Sequence, residues 1–216
     1  EISTKHIKNN TVSYLNGKLV NSIGENNTSL GEVAKISSLK GVHNIENILI
    51  SLAALFVYGV NFNKIKNTLP KFRGLPHRIE EVLKIKNILF VNDSKSTNLS
   101  STKMALNCYE NIIWIAGGIR KDENFDYLID SLSKIKAGFF IGKSASEFYN
   151  YFNSYFDVKK CLTLGEALNE SLKYAMHTKI KVTILFSPGC ASFDQYNNFE
   201  ERGDSFKNAV YEYKKI

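Results

Sequence analysis

Beyond Arg73-Gly74-Leu75-Pro76 the chain alternates short apolar runs with helix-length amphipathic segments, and no other feature restricts its fold as much. The runs at 79–85, 88–91, 112–116, 138–141, a weaker one at 158–162, and 182–186 read as strands. The segments 98–108, 125–135, 144–153, 164–177 and 203–214 read as helices. The first two strands are close enough to pair through Lys86-Asn87. The others are separated by helices, as parallel strands joined by crossovers must be. Parallel strands need cover on both faces. The expected fold is therefore α/β, a Rossmann-like, mainly parallel sheet with helices on both faces. Ser144-Ala145-Ser146-Glu147 and Thr163-Leu164-Gly165-Glu166 each read as a capping box at a helix start.

Residues 1–69 follow a different pattern. Asn16-Gly17 between two apolar runs predicts a hairpin over 11–20. Ile45, Ile48, Leu49, Leu52, Ala53 and Phe56 recur at helical spacing and predict a helix over 43–58. A second short helix over 62–69 is expected to end before Pro70. With too few strands to close a domain, 1–69 reads as the tail of one domain and 70–216 as a second, complete one. The opening residues Glu1-Ile2-Ser3-Thr4-Lys5 lack an initiator Met and any leader pattern, which sets the expectation that the chain starts inside a longer protein.

Composition narrows the classes of partner. The 216 residues carry 28 Lys and Arg against 21 Asp and Glu, a net charge of +7. The lysines are scattered singly, without the dense basic runs or basic-aromatic alternation of nucleic-acid binders, so no nucleic-acid partner is expected. The apolar stretch 48–60 is interrupted by Ser51, Tyr58 and Gly59 and is too short to cross ~30 Å of hydrocarbon. Cys108, Cys161 and Cys190 lie far apart, which points to a reducing compartment, the cytoplasm, rather than a disulfide framework. Neither they nor His6, His43 and His177 show metal spacing, and no metal site is expected. Cys190, flanked by small residues and with no His near it in sequence, reads as a buried structural thiol rather than a nucleophile.

In an open parallel sheet, function collects beyond the carboxyl ends of the strands. Four unusual loops are expected there: Asn92-Asp93-Ser94-Lys95-Ser96-Thr97-Asn98, Gly117-Gly118-Ile119-Arg120-Lys121, Gly142-Lys143-Ser144, and Ser187-Pro188-Gly189-Cys190-Ala191-Ser192. Any one of them is adequately explained as a turn. Together they bring ammonium groups, hydroxyls and backbone N–H groups to one edge, which suits a small anion. Gly142-Lys143-Ser144 is not a P-loop, because Ala137 occupies the position of its first glycine, and Gly117-Gly118 lacks the third glycine of a dinucleotide fingerprint. Asn44 and Asn47, one helical turn apart, offer amides that match a purine edge, although on their own capping and surface roles explain them better. His77, Arg78 and Asp93 are a surface cluster on one reading and a phosphate and ribose contact on the other.

Gly41-Val42-His43-Asn44 with Asn47, Gly74-Leu75-Pro76-His77-Arg78, the 92–98 loop, Ala116-Gly117-Gly118 with Lys121, and the segment 187–203 resemble the Mur ligase family in both order and spacing. The resemblance runs from about residue 11 to the end, and the 92–98 loop is like that of the D-glutamate-adding branch. Ile119-Arg120 stands where that branch has Asp-Gly before the lysine, and Gly189 where Ala is more usual. The resemblance implies an ATP-dependent ligase of peptidoglycan precursor synthesis in the bacterial cytoplasm, joining D-glutamate to UDP-N-acetylmuramoyl-L-alanine through an acyl phosphate. It implies D-glutamate contacts at Lys95, Thr97, Lys121, Ser192 and Phe199, adenine contacts at Asn44 and Asn47, and ribose and phosphate contacts at His77, Arg78 and Asp93. None of these need be a strong general base. Residues 1–69 would be the carboxy-terminal remnant of the central ATP-binding domain and 70–216 the D-glutamate-binding domain. ATP and Mg2+ would be held mostly by regions outside these residues, the chain would be a monomer, and alone it would be inactive. The alternatives are a stand-alone nucleotide- or amino-acid-binding module and a sister ligase adding another amino acid.

Overall fold

The computed structural model describes residues 2–3, 11–22, 28–32, 39–121 and 124–215. The chain divides into two compact units, Glu1–Gly74 and Leu75–Ile216.

The first unit has a four-stranded sheet in the order β1 (Ile2–Ser3), β2 (Val12–Leu15), β3 (Lys18–Asn21), β4 (Thr28–Glu32). The hairpin at Asn16-Gly17 forms, with φ of 48° and 80°, the left-handed geometry that a tight two-residue turn requires. Helix α1 (Val42–Val57) buries Ile48, Leu49 and Leu52 with Val12 and Leu19, and Ile65 of α2 (Phe62–Thr68) joins them. Strands β1 and β4 were not legible in the sequence: one has two residues and the other is interrupted by Gly31.

The second unit is a six-stranded sheet built from β5 (Glu80–Ile85), β6 (Ile88–Asn92), β7 (Ile112–Gly117), β8 (Ile135–Ile141), β9 (Asp157–Lys160) and β10 (Val182–Phe186). Its order is β5-β6-β10-β7-β8-β9, with β5 the antiparallel edge and all other pairings parallel. Strict alternation along the strands fills both faces. On one face Ile112, Trp114 and Ala116 pack with Leu99 and Leu106 of α3 (Leu99–Leu106), with the 3-10 segment Phe125–Lys134, and with Phe148 and Phe152 of α4 (Ala145–Phe152). On the other, Ile113 and Ile115 pack with Leu164 and Leu168 of α5 (Leu164–Met176) and Phe206 and Val210 of α6 (Phe199–Glu212). Among the described residues no helix is long and apolar enough to cross a membrane.

Trp114 ties this core to the carboxyl edge of the sheet. It is fully buried, its ring meets Phe140 and Phe152 edge-on at 5.5 and 5.3 Å, and its Nε1–H donates to the Ser187 carbonyl at 2.9 Å. Trp114→Phe keeps most of the apolar contact and leaves that buried carbonyl unpaired. The expected loss is about 2 kcal/mol, read as a lower urea midpoint at unchanged slope.

Three local readings need correction. The helix read at 203–214 starts at Phe199, because Asn198 caps it: its side chain accepts the Glu201 N–H at 2.7 Å, and the Glu201 carboxylate accepts the Asn197 N–H at 2.9 Å. The segment read as a helix at 125–135 is a 3-10 helix. The capping box at Ser144 does not form, since Ser144 already has helical backbone angles, its Oγ lies 3.4 Å from Cys190 Sγ, and Arg120 holds Glu147 at 2.7 Å. At Thr163 the box does form, with Oγ1 accepting the Glu166 N–H at 3.2 Å and Glu166 reaching the Leu162 N–H at 2.7 Å.

Candidate functional site

Strands β6 and β10 are adjacent and parallel, yet the chain leaves β6 for α3 on one face of the sheet and leaves β10 for α6 on the other. Loops that diverge in this way face one another across the carboxyl edge, the position where ligands bind in open α/β sheets. The four polar loops meet there through backbone bonds. Gly189 N–H donates to Ser96 O at 3.0 Å, Gly117 N–H to Pro188 O at 2.9 Å, and Ser144 N–H to Gly118 O at 3.0 Å, while Ile119 and Ala191 exchange two bonds of 2.9 Å. Gly118 allows this closeness: its φ is 135°, and a Cβ would stand 2.3 Å from the Ala191 carbonyl oxygen. Gly118→Ala should cost about 3 kcal/mol, from overpacking and an unfavourable φ together, detectable by thermal unfolding.

Lys95 and Thr97, on the β6 loop, are half-buried, and Ser192, on the β10 loop, is buried. Lys95 Nζ stands 3.8 Å from the centroid of the Phe199 ring, so a residue at the start of α6 holds the ammonium of the opposite loop. Lys121 is exposed at the end of the β7 loop, two residues beyond the Ile119 to Ala191 bridge. The five residues that the resemblance assigns to the amino acid are thus spread over three adjoining loops and one helix start, with Lys95 and Phe199 in direct contact.

His77 and Asp93 form a second cluster beside the first. His77 Nδ1 is 3.0 Å from Asn92 Nδ2, and Asn92 Oδ1 accepts the Ser94 N–H at 3.2 Å. The Asn92 amide group also faces Glu80 Oε2 and the Gly203 carbonyl, both at 3.3 Å, so Nδ2 must be on that side and His77 Nδ1 must accept. The ring proton therefore sits on Nε2, which is 3.8 Å from Asp204 Oδ1. Asp93 is buried, and each of its carboxylate oxygens accepts one bond from the protein: the Ile79 N–H at 3.1 Å and the Ser187 hydroxyl at 2.8 Å. Burial pushes its carboxyl up to about 7, against the hydrogen bonds and Arg78, which pull it down. Ile79, a β-branched residue at φ 47°, and His77 at φ 62° mark local backbone strain in this cluster. Arg78 between them is exposed. Asn44 and Asn47 stand on α1 in the other unit, where Asn44 Nδ2 donates to Lys40 O at 2.7 Å and Asn47 is exposed.

Sequence reasoning missed Arg202. It lies in the first turn of α6, is 1% exposed, and its guanidinium donates to Ser94 Oγ at 3.0 Å, Ser94 O at 2.8 Å and Cys190 O at 3.0 Å. The signal that could have found it is the Asn198-x-x-Glu201 cap, which places Arg202 at the sheet edge rather than in a loop. Burial pushes the Cys190 thiol up to about 11, which suits a structural thiol and not a nucleophile.

No protein-family model matches the chain. Over 199 residues it is 41% identical to the UDP-N-acetylmuramoylalanine–D-glutamate ligase of Wolbachia pipientis wMel, covering 91% of this chain and 39% of that protein. Over 186 residues it is 38% identical to the ligase of the same name from Bartonella henselae, covering 86% of this chain and 40% of that one. The chain thus spans about two fifths of the length of these curated relatives. Among solved structures, it superposes on a UDP-N-acetylmuramate–alanine ligase from Thermotoga maritima with a TM-score of 0.62 at 15% identity, covering 95% of this chain and 44% of that one. A pseudomurein peptide ligase from Methanothermus fervidus gives the same TM-score of 0.62 at 18% identity, over 94% of this chain and 42% of that one. At these identities the likeness is one of fold. By sequence, the chain is similar to part of the curated UDP-N-acetylmuramoylalanine–D-glutamate ligases, and its fold is that of these solved peptide ligases.

Proposed function

We propose that these residues are the carboxy-terminal part of an ATP-dependent ligase that joins D-glutamate to UDP-N-acetylmuramoyl-L-alanine in bacterial peptidoglycan precursor synthesis, in the cytoplasm. The observation that carries the reading is the convergence of Lys95, Thr97, Ser192 and Phe199 on one sheet edge in a chain 41% identical to a ligase of that name. D-glutamate carries two carboxylates and one amine, which must be deprotonated to attack. Lys95 and Lys121 would offset its carboxylates, Thr97 and Ser192 would donate to them, and Phe199 would shape the pocket and hold Lys95 in place. The muramoyl-alanine carboxylate would take the γ-phosphoryl group of ATP, releasing ADP. The amine of D-glutamate would then attack the acyl phosphate, with phosphate leaving and the amine proton passing to solvent.

The contribution of this chain in such a reaction is orientation. Fixing the amine against the acyl carbon turns a bimolecular encounter into a local one, and positive charge at the edge offsets the charge of the leaving phosphate. Asn44 and Asn47 would face the adenine, and His77, Arg78 and Asp93 the ribose and phosphates. With both carboxylate oxygens already engaged, Asp93 would act on the ribose mainly by holding Ile79 and Ser187. Among the described residues no group of three or more His, Cys, Asp or Glu could hold a metal ion, so no step is assigned to a metal held by them.

Phosphate release should require UDP-N-acetylmuramoyl-L-alanine, ATP and D-glutamate together when the full-length protein is assayed. These 216 residues contain no P-loop, and alone they should give no release. Release by the full-length protein without D-glutamate, or turnover by the 216 residues alone, would contradict the proposal.

A further inference from the structure

Arg202 is a buried charge with neutral partners. Its three bonds go to a hydroxyl and two carbonyls, and no carboxylate of a described residue lies within ion-pair distance. Asp194 acts on it only from beyond that distance. Buried charges are ordinarily paired, and an isolated one is costly to keep. The bonds also have a pattern. Ser94 belongs to the loop that carries Lys95 and Thr97, Cys190 to the loop that carries Ser192, and Ser94 Oγ donates onward to the carbonyl of Phe199 at 2.8 Å. One side chain thus fixes the spacing of the three segments that hold four residues of the amino-acid site. Its planar fork suits this task, because a lysine in its place could satisfy at most part of the set from a single nitrogen.

We propose that Arg202 is a positioning residue for the amino-acid ligand: it locks the β6 loop, the β10 loop and the start of α6 in the spacing that the ligand needs, and its counter-charge arrives with the ligand's carboxylates. It touches neither ligand nor reacting atoms, being 1% exposed. This rests on the proposed function above.

The test is steady-state kinetics on the full-length ligase carrying Arg202→Lys or Ser94→Ala, with D-glutamate, ATP and the nucleotide precursor varied separately. Arg202→Lys should raise KM for D-glutamate about 10- to 100-fold, as a displacement on the order of 1 Å does, with KM for ATP within about twofold of wild type. Ser94→Ala, which removes only the link from Arg202 Nε to the Phe199 carbonyl, should raise it by about threefold to tenfold. If Arg202→Lys does not fold, Ser94→Ala decides. An unchanged KM for D-glutamate, with only the amount or thermal stability of folded enzyme reduced, would overturn the inference and make Arg202 a purely structural residue. If the wild type uses a different amino acid, the function reading fails instead, and the same KM test read on that amino acid still judges Arg202.

Discussion

Lys95→Ala in the full-length ligase should lower kcat/KM for D-glutamate about a hundredfold or more, because removing one member of a desolvated charge pair costs about 3 kcal/mol or above. The ammonium is half-buried and fixed over Phe199 at 3.8 Å, so under the proposed function its loss would leave a substrate carboxylate facing an apolar ring. KM for ATP should stay within about twofold, since uniform damage to the fold would move both constants. Lys95→Arg should recover only part of the activity, because the larger planar head cannot occupy the same point above the ring. Initial rates with each substrate varied in turn measure both effects. Equal losses for ATP and D-glutamate would show that Lys95 serves the fold and not the amino acid.

The second large effect is on stability against pH, through Asp93. Burial pushes its carboxyl up to about 7 in the folded protein, from about 3.9 for an ordinary aspartate, so the folded state holds that proton more tightly than the unfolded chain. Stability falls with rising pH wherever the folded state binds more protons. The contribution is therefore fully present below about pH 4 and is lost as pH rises through about 7, a change of up to about 4 kcal/mol. Asp93→Asn keeps an acceptor for the Ile79 N–H and can donate to Ser187 Oγ, whose own hydrogen has Thr102 Oγ1 at 3.2 Å as an alternative acceptor. Urea midpoints at pH 5, 6, 7 and 8 should slope downward for the wild type more than for Asp93→Asn. Parallel slopes would assign the pH dependence elsewhere.

The parts of the fold that were legible in sequence were those with strong local physics. The runs ending in Ala116 and Phe186 are buried on both faces and so read as continuous apolar strands, and Asn16-Gly17 carries its turn geometry in its own residue types. The four polar loops were legible as a group because parallel connectivity puts their starting points on one edge. What was not legible depended on long-range partners. Arg202 lies inside the 187–203 segment with nothing in its own residue type to single it out; the tertiary structure shows that Ser94, 108 positions away, and Cys190 receive it. Asp93 read as a polar contact, and its burial against Ser187, 94 positions on, gives it a raised carboxyl instead. Ser144 matched a capping pattern, but Arg120 had already taken Glu147. The tautomer of His77 followed from the orientation of the Asn92 amide, set by Ser94 N–H, Glu80 and the Gly203 carbonyl, a constraint that no spacing in the chain expresses.

Selection of D-glutamate by this edge, for joining to an activated muramoyl-alanine carboxylate, is decided by competition. The full-length protein would be given ATP, UDP-N-acetylmuramoyl-L-alanine and an equimolar mixture of D-glutamate, L-glutamate, L-alanine, L-lysine and diaminopimelate, and the nucleotide product weighed by mass spectrometry. A single product heavier by one glutamate residue is expected, absent when D-glutamate alone is omitted. A product carrying any other amino acid, or the same product from L-glutamate, would contradict it.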